Sequence, residues 1–157
     1  HIENNNLENA PILTARGEER RSDVRNNERL LMKDRDFAQK IYTRCKAELP
    51  KLIFNKRAVG LNEMFRCYRY QKGMYFAPHM DGAYTRNLHE RSYYTFLIYL
   101  NNVELGGETT FLVEPELSFK PKAGLGVLFQ HPILHKGSEV LAGCKYLLRT
   151  DVMYRSL

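Results

Sequence analysis

The sequence has no tryptophan, three cysteines and no long hydrophobic run. The longest apolar stretch is Phe96-Leu97-Ile98-Tyr99-Leu100. That is strand length, far short of the roughly 18–20 residues a membrane helix needs. Cys45, Cys67 and Cys144 are odd in number and show no CxxC spacing, which excludes a disulfide framework. They point to reduced thiols and an intracellular, cytoplasmic setting. No signal-peptide pattern is visible, and a chain that starts at His1 without Met reads as a fragment or processed form. There is no HExxH motif, so the usual helical zinc-hydrolase site is excluded. Repeats, low-complexity tracts and domain linkers are also missing.

What is present suits one domain with one real core. The chain has 157 residues, of which 43% are hydrophobic, too apolar for a disordered tail. Residues 1–11 are polar and Asn-rich and are expected to be a flexible lead-in, with a single catalytic domain over 12–157. The net charge is +6, and the most charge-dense run, "RGEERRSDVRNNERLLMKDR" at 16–35, carries seven basic and five acidic residues. Acids interleave with the bases there, so a solvated mixed-charge face is favoured over a nucleic-acid surface. Apolar positions Phe37, Ala38, Ile41, Cys45 and Leu49 predict an amphipathic helix over 34–49, capped by Asp34 or Asp36 and stopped by Pro50. From residue 62 onward, short alternating runs are separated by Gly, Pro and Asn turns. Such a succession implies an antiparallel sandwich or barrel.

The chemistry centres on "FAPHMDG" at 76–82. His79 and Asp81 are two apart, so on extended backbone both side chains point the same way. A third ligand must come from another strand at the same mouth. His135, at the start of "HKGSEV", fits that requirement. Two imidazoles and a carboxylate on one face of a metal leave the other positions open. Non-haem Fe(II) oxygenases hold their co-substrate and O₂ this way, although zinc accepts the same donors. If the co-substrate is 2-oxoglutarate, its distal carboxylate needs a buried cation. Lys145 and Arg149, four apart on the next strand, are the candidates, and sequence alone does not say which face they occupy.

Four segments together, "YRYQKGMYFAPHMD", "YLNNVELGGETTF", "KPKAGLGVLFQH" and "HKGSEVLAGCKY", resemble the prolyl 4-hydroxylase-like 2-oxoglutarate/Fe(II) dioxygenases, over about residues 12–155. The resemblance implies a mainly β fold (α+β), with a double-stranded β-helix (jelly-roll) core and one or two supporting helices. It implies His79, Asp81 and His135 as catalytic iron ligands, and Lys145 as partner of the 2-oxoglutarate C5 carboxylate. It also implies that Tyr70 hydrogen-bonds the co-substrate and that Tyr99 and Thr109 line its C5 end. The cofactor set would be Fe(II), 2-oxoglutarate and O₂, with ascorbate as a candidate reductant. Tyr146 stands where collagen-type enzymes usually carry Trp, and the continuation "LLRTDVMY" looks like another branch, in which Arg149 could share the carboxylate role. The carboxylate of Asp81 favours hydroxylation over halogenation.

The expected reaction is hydroxylation of an aliphatic C–H, with peptidyl proline leading by analogy. The alternatives are a free amino acid or other small metabolite, and a catalytically inactive jelly-roll binding module. A metal-dependent cupin-like enzyme without 2-oxoglutarate is a further rival. The partner is thus a protein, peptide or small-molecule substrate, with nucleic acid disfavoured and no membrane. The basic segment 16–35 is expected to form a mobile lid facing the substrate. Oligomeric state is not legible.

Overall fold

A computed structural model describes residues 2–3 and 5–157, with Leu13 described by its backbone alone. All strand pairings are antiparallel. The larger sheet runs in the order Glu8–Asn9, Glu28–Lys33, Met64–Tyr70, Lys145–Ser156, Glu90–Tyr99, Gly126–Gln130. Lys56–Leu61 adds to the far half of Lys145–Ser156. The smaller sheet runs Leu117–Phe119, Thr109–Phe111, His135–Gly137, Phe76–His79. The two sheets face each other as the halves of a jelly roll.

The larger sheet is buried on both faces, which explains why its strands alternate between two kinds of apolar residue. Tyr68, Tyr70, Leu97, Tyr99 and Leu147 point between the sheets, where they meet Phe111 and Phe129. Phe65, Cys67, Phe96, Leu148 and Val152 point the other way and pack under the helix with Ala38. Phe65 is fully buried, its ring 5.1 Å from that of Phe37. Burial of one such ring contributes roughly 1.5–3 kcal/mol.

The helix spans Arg35–Cys45, shorter than the expected 34–49. Its chain turns after Lys46, ahead of Pro50, so proline is not the terminator. Asp34 is the N-cap and accepts from Phe37 N at 2.8 Å, satisfying one of the free amides of the first turn. Asp34→Ala is expected to lower unfolding free energy by about 1 kcal/mol. Urea denaturation checks this, and an unchanged midpoint would assign the cap no role.

Two expectations for the N-terminal part are corrected. Residues 8–10 join the fold: Glu8–Asn9 forms an edge strand and Ala10 is buried in the core between the sheets. The segment 16–35 is not one lid, because Glu28–Lys33 pairs over six residues with Met64–Tyr70. Nor is it all solvated, since Arg25 and Arg29 are each only 7% exposed. The hairpin of Ile12–Thr14 with Gly17–Glu19 remains as a flap beside the sheets. Cys45, Cys67 and Cys144 are free thiols. Among the described residues no helix is long and apolar enough to cross a membrane.

Candidate metal and co-substrate site

Strand pairing brings the two histidines together. Phe76–His79 and His135–Gly137 are neighbours in the smaller sheet, and His135 stands directly opposite His79. Their rings lie 4.3 Å apart. Asp81 follows just past the strand end, its amide donating to His131 O at 3.0 Å. One donor atom from each of His79, Asp81 and His135 falls within 4.8 Å of the others. His79 Nε2 is 3.7 Å from Asp81 Oδ1, and His135 Nε2 is 3.9 Å from Oδ2.

Each imidazole is oriented by its own backbone. His79 Nδ1 meets Ala77 O at 2.8 Å, and His135 Nδ1 meets Ile133 O at 2.9 Å. A carbonyl only accepts, so both Nδ1 atoms carry the proton and both Nε2 lone pairs are free. Burial, with the neighbouring His135, pushes His79 down to about 4. Burial lowers His135 as well. For Asp81, burial works to raise the pKa, but Arg149, His135, Thr95 and His79 together outweigh it and hold the carboxyl below its ordinary range. Two neutral imidazoles and one carboxylate form a donor set that fits a divalent transition metal.

A hydrogen-bonded chain stands behind Asp81. Thr95 donates to Asp81 Oδ2 at 2.7 Å. Its oxygen must then accept from His131 Nδ1 at 3.0 Å, so His131 Nε2 accepts from Ser92 Oγ at 2.7 Å. Ser92 in turn accepts from the Tyr84 amide at 2.8 Å. Burial lowers the His131 pKa, consistent with this neutral tautomer. Sequence reading missed both Thr95 and His131. Thr95 shares strand parity with the inward-facing Leu97 and Tyr99, a usable signal, whereas His131 carried none.

Lys145 faces into the sandwich. It is 1% exposed and opposite Tyr70 in register. Its Nζ donates to Gly107 O at 2.8 Å and lies 4.1 Å from the Tyr70 ring centroid. Gly106 and Gly107 have φ of +78° and +75°, and the backbone kink they allow presents this carbonyl to the lysine. Burial pushes Lys145 down to about 7, with Glu108 pulling the other way. Burial also raises Tyr70 to about 12. Lys145, Tyr70 and Thr109 line an inner cavity of about 30 Å³ together with His79, Asp81 and His135.

The remaining residues singled out in the sequence sit elsewhere. Tyr99 is fully buried and does not border this cavity. Its hydroxyl donates to Thr109 Oγ1 at 2.6 Å, so it supports Thr109 from behind. Arg149 faces inward like Lys145 but sits at the opposite end, with Nη1 3.0 Å from Asp81 Oδ1. Arg25 was not singled out. It stacks over Tyr68 and Phe76, at 4.5 and 4.2 Å from their centroids.

A family model described as the 2OG-Fe(II) oxygenase superfamily matches residues 65–150, which hold His79, Asp81, His135, Lys145 and the residues behind them, though not Arg25. The chain belongs to the 2OG-Fe(II) oxygenase superfamily. Fe(II) and 2-oxoglutarate are accordingly its cofactor and co-substrate. The structure is similar to a viral collagen prolyl hydroxylase from Paramecium Bursaria Chlorella virus-1 in a 2OG complex. That match has 22% identity and a TM-score of 0.62, covering 84% of this chain and 80% of that one. A Pseudomonas putida prolyl-4-hydroxylase matches at 16% identity and TM-score 0.64, over 87% and 76%. A Trichoplax adhaerens prolyl hydroxylase, in complex with a hypoxia inducible factor oxygen degradation domain peptide fragment, matches at 16% and 0.66, over 91% and 69%. At these identities the likeness is one of fold. No curated protein sequence matches this oxygenase.

Proposed function

We propose that His79, Asp81 and His135 hold Fe(II), that Lys145 anchors the C5 carboxylate of 2-oxoglutarate, and that the enzyme hydroxylates an aliphatic C–H, with a prolyl residue of a peptide as the first candidate. One observation carries this reading. Two imidazoles with free Nε2 atoms and an ionised carboxylate converge at one end of a cavity whose other end holds a buried lysine. Bound there, iron supplies the O₂-dependent oxidation that turns 2-oxoglutarate into succinate and CO₂ and leaves a hydroxyl on the substrate.

The protein's part is positioning and charge. The carbonyls of Ala77 and Ile133 fix the imidazole tautomers. Thr95 and Arg149 hold the Asp81 carboxylate ionised and oriented. Lys145 gives the far carboxylate a counter-charge where water is excluded, and Tyr70 offers it a hydroxyl beside Thr109. The prolyl candidate draws on what the similar structures are named for. Succinate formation from 2-oxoglutarate, with and without a short proline-rich peptide, tests it. Peptide-stimulated turnover with a mass gain of one oxygen on proline supports it. Stimulation by free amino acids alone would move the substrate to the small-metabolite class.

The Asp81 support gives a separate expectation. Thr95→Val removes the hydroxyl that orients Asp81 and leaves His131 Nδ1 without an acceptor. Metal affinity should fall by about 10–100-fold, the usual effect of losing such a partner. Zn(II) titration calorimetry measures it, with Thr95→Ser restoring most of the loss. Equal affinities in Thr95→Val and wild type would leave the chain without a positioning role.

A further inference from the structure

A second cavity of about 460 Å³ borders two of the three ligands, His79 and Asp81, from the outside. It shares Arg25, Tyr68, Phe76, His79, Asp81 and Arg149 with the inner one. Its charged lining is unbalanced. Four guanidiniums border it, from Arg25, Arg29, Arg66 and Arg149, against two carboxylates, Glu18 and Asp81. Arg29 is answered by Glu8 at 2.9 Å and Glu18 at 3.0 Å. Arg66 and Arg149 share Asp151 at 3.5 and 3.7 Å, and Arg149 also takes Asp81, already assigned to the metal.

Arg25 has no carboxylate partner among the described residues. Its Nε reaches Asn27 Oδ1 at 2.6 Å and its Nη1 reaches Pro11 O at 3.3 Å. Arg25 Nη2, Arg66 Nη1 and Arg149 Nε are buried without a hydrogen bond, although Arg66 and Arg149 keep the carboxylates named above as counter-charges. A buried guanidinium without a counter-charge is destabilising. Arg25 is in that position, and two neighbouring guanidiniums each hold an unused donor, so the cavity is a place that an anion completes. Arg25 is also held at a set distance from the metal ligands. Its guanidinium lies over Phe76, and Phe76 stacks on His79 with centroids 3.5 Å apart and a 17° tilt.

We propose that the primary substrate carries a carboxylate, and that Arg25, with Arg66 and Arg149 beside it, receives that carboxylate in the outer cavity and so sets the C–H to be oxidised beside the metal ligands. The planar, forked donors of arginine suit a carboxylate. This rests on the oxygenase reading above and names the substrate's chemical class within it. An acidic peptide or a free amino or organic acid would satisfy it, and a substrate without a negative charge near the reacting carbon would not.

The test uses the full chain loaded with redox-inert Zn(II) and saturated with 2-oxoglutarate. Calorimetry compares N-acetyl-L-proline with N-acetyl-L-prolinamide, and acetate with acetamide, at constant ionic strength. Each acid is expected to bind at least tenfold more tightly than its amide. In Arg25→Gln that preference should fall below twofold while 2-oxoglutarate still binds. Equal binding of acid and amide by the wild type, or no saturable binding of either acid, overturns the inference, and neither result needs a variant that folds. A tenfold or greater loss of 2-oxoglutarate affinity in Arg25→Gln would give the guanidinium to the co-substrate's own carboxylate and overturn it too. A wild type that binds both metal and 2-oxoglutarate but shows no acid preference overturns this inference alone. One that takes up neither overturns the oxygenase site and this inference with it.

Discussion

Asp81→Ala is expected to reduce 2-oxoglutarate turnover to the metal-free background, a loss of at least about a thousandfold. The carboxylate is the only charged member of the donor set. A bound metal supplies several kcal/mol of charge stabilisation, and about 4 kcal/mol corresponds to that factor. The substitution also takes from Arg149, which is 13% exposed at its side chain, its nearer carboxylate at 3.0 Å and leaves it only Asp151 at 3.7 Å. The variant should therefore be less stable than wild type as well as inactive. Asp81→Asn separates the two effects, since it keeps the shape and a hydrogen-bond acceptor for Arg149 but removes the charge. Succinate production and thermal melting, measured on both variants, check this. Retained full activity in Asp81→Ala would remove the triad from the account.

The second large effect belongs to Lys145. Lys145→Met should weaken 2-oxoglutarate binding by roughly 100-fold or more, because a buried carboxylate left without its partner costs about 3–5 kcal/mol. Metal binding should be nearly unchanged, since Lys145 is not one of the clustered donors. Wild type should also show a pH dependence of one sign. Burial holds Lys145 at about 7 in the free protein, and a bound carboxylate favours the ammonium and raises that value. Below pH 7 the amine is charged with or without ligand, so affinity is flat. Above pH 7 the free protein must take up a proton to bind, so affinity falls, by up to about tenfold per pH unit. Calorimetry in buffers of different ionisation enthalpy would report that proton uptake. A dissociation constant flat from pH 7 to 9, with no proton uptake, would remove the lysine from the carboxylate.

The site was more legible than its surroundings. His79 and Asp81 share a side because extended backbone has a period of two, and that local rule survives any tertiary context. His135 followed from the need for a third donor, although its direct pairing with His79 is a matter of register. The facing of Lys145 was not legible for a physical reason. Lys145–Ser156 is buried on both faces, so Leu147 and Leu148 point to different cores and polarity does not mark the inside. Arg25 and Arg29 read as solvated because acids neighbour them in sequence. Arg29 does pair with acids, Glu8 and Glu18, but under the flap rather than in solvent. Arg25 is buried by ring stacking that only the tertiary fold creates. The helix is shorter than its periodicity, which continues to Leu49, because the chain leaves the helix at Lys46 into a turn over 46–48.

The most direct test of the central claim is an anaerobic titration of the Fe(II)-loaded protein with 2-oxoglutarate, followed by admission of O₂. The expected result is a weak visible absorption band that saturates at one 2-oxoglutarate per chain, followed by loss of the band and appearance of succinate on aeration. Asp81→Ala should give no band, and Lys145→Met a band only at much higher 2-oxoglutarate. A wild-type protein that holds iron yet gives neither band nor succinate would contradict the assignment of these four residues.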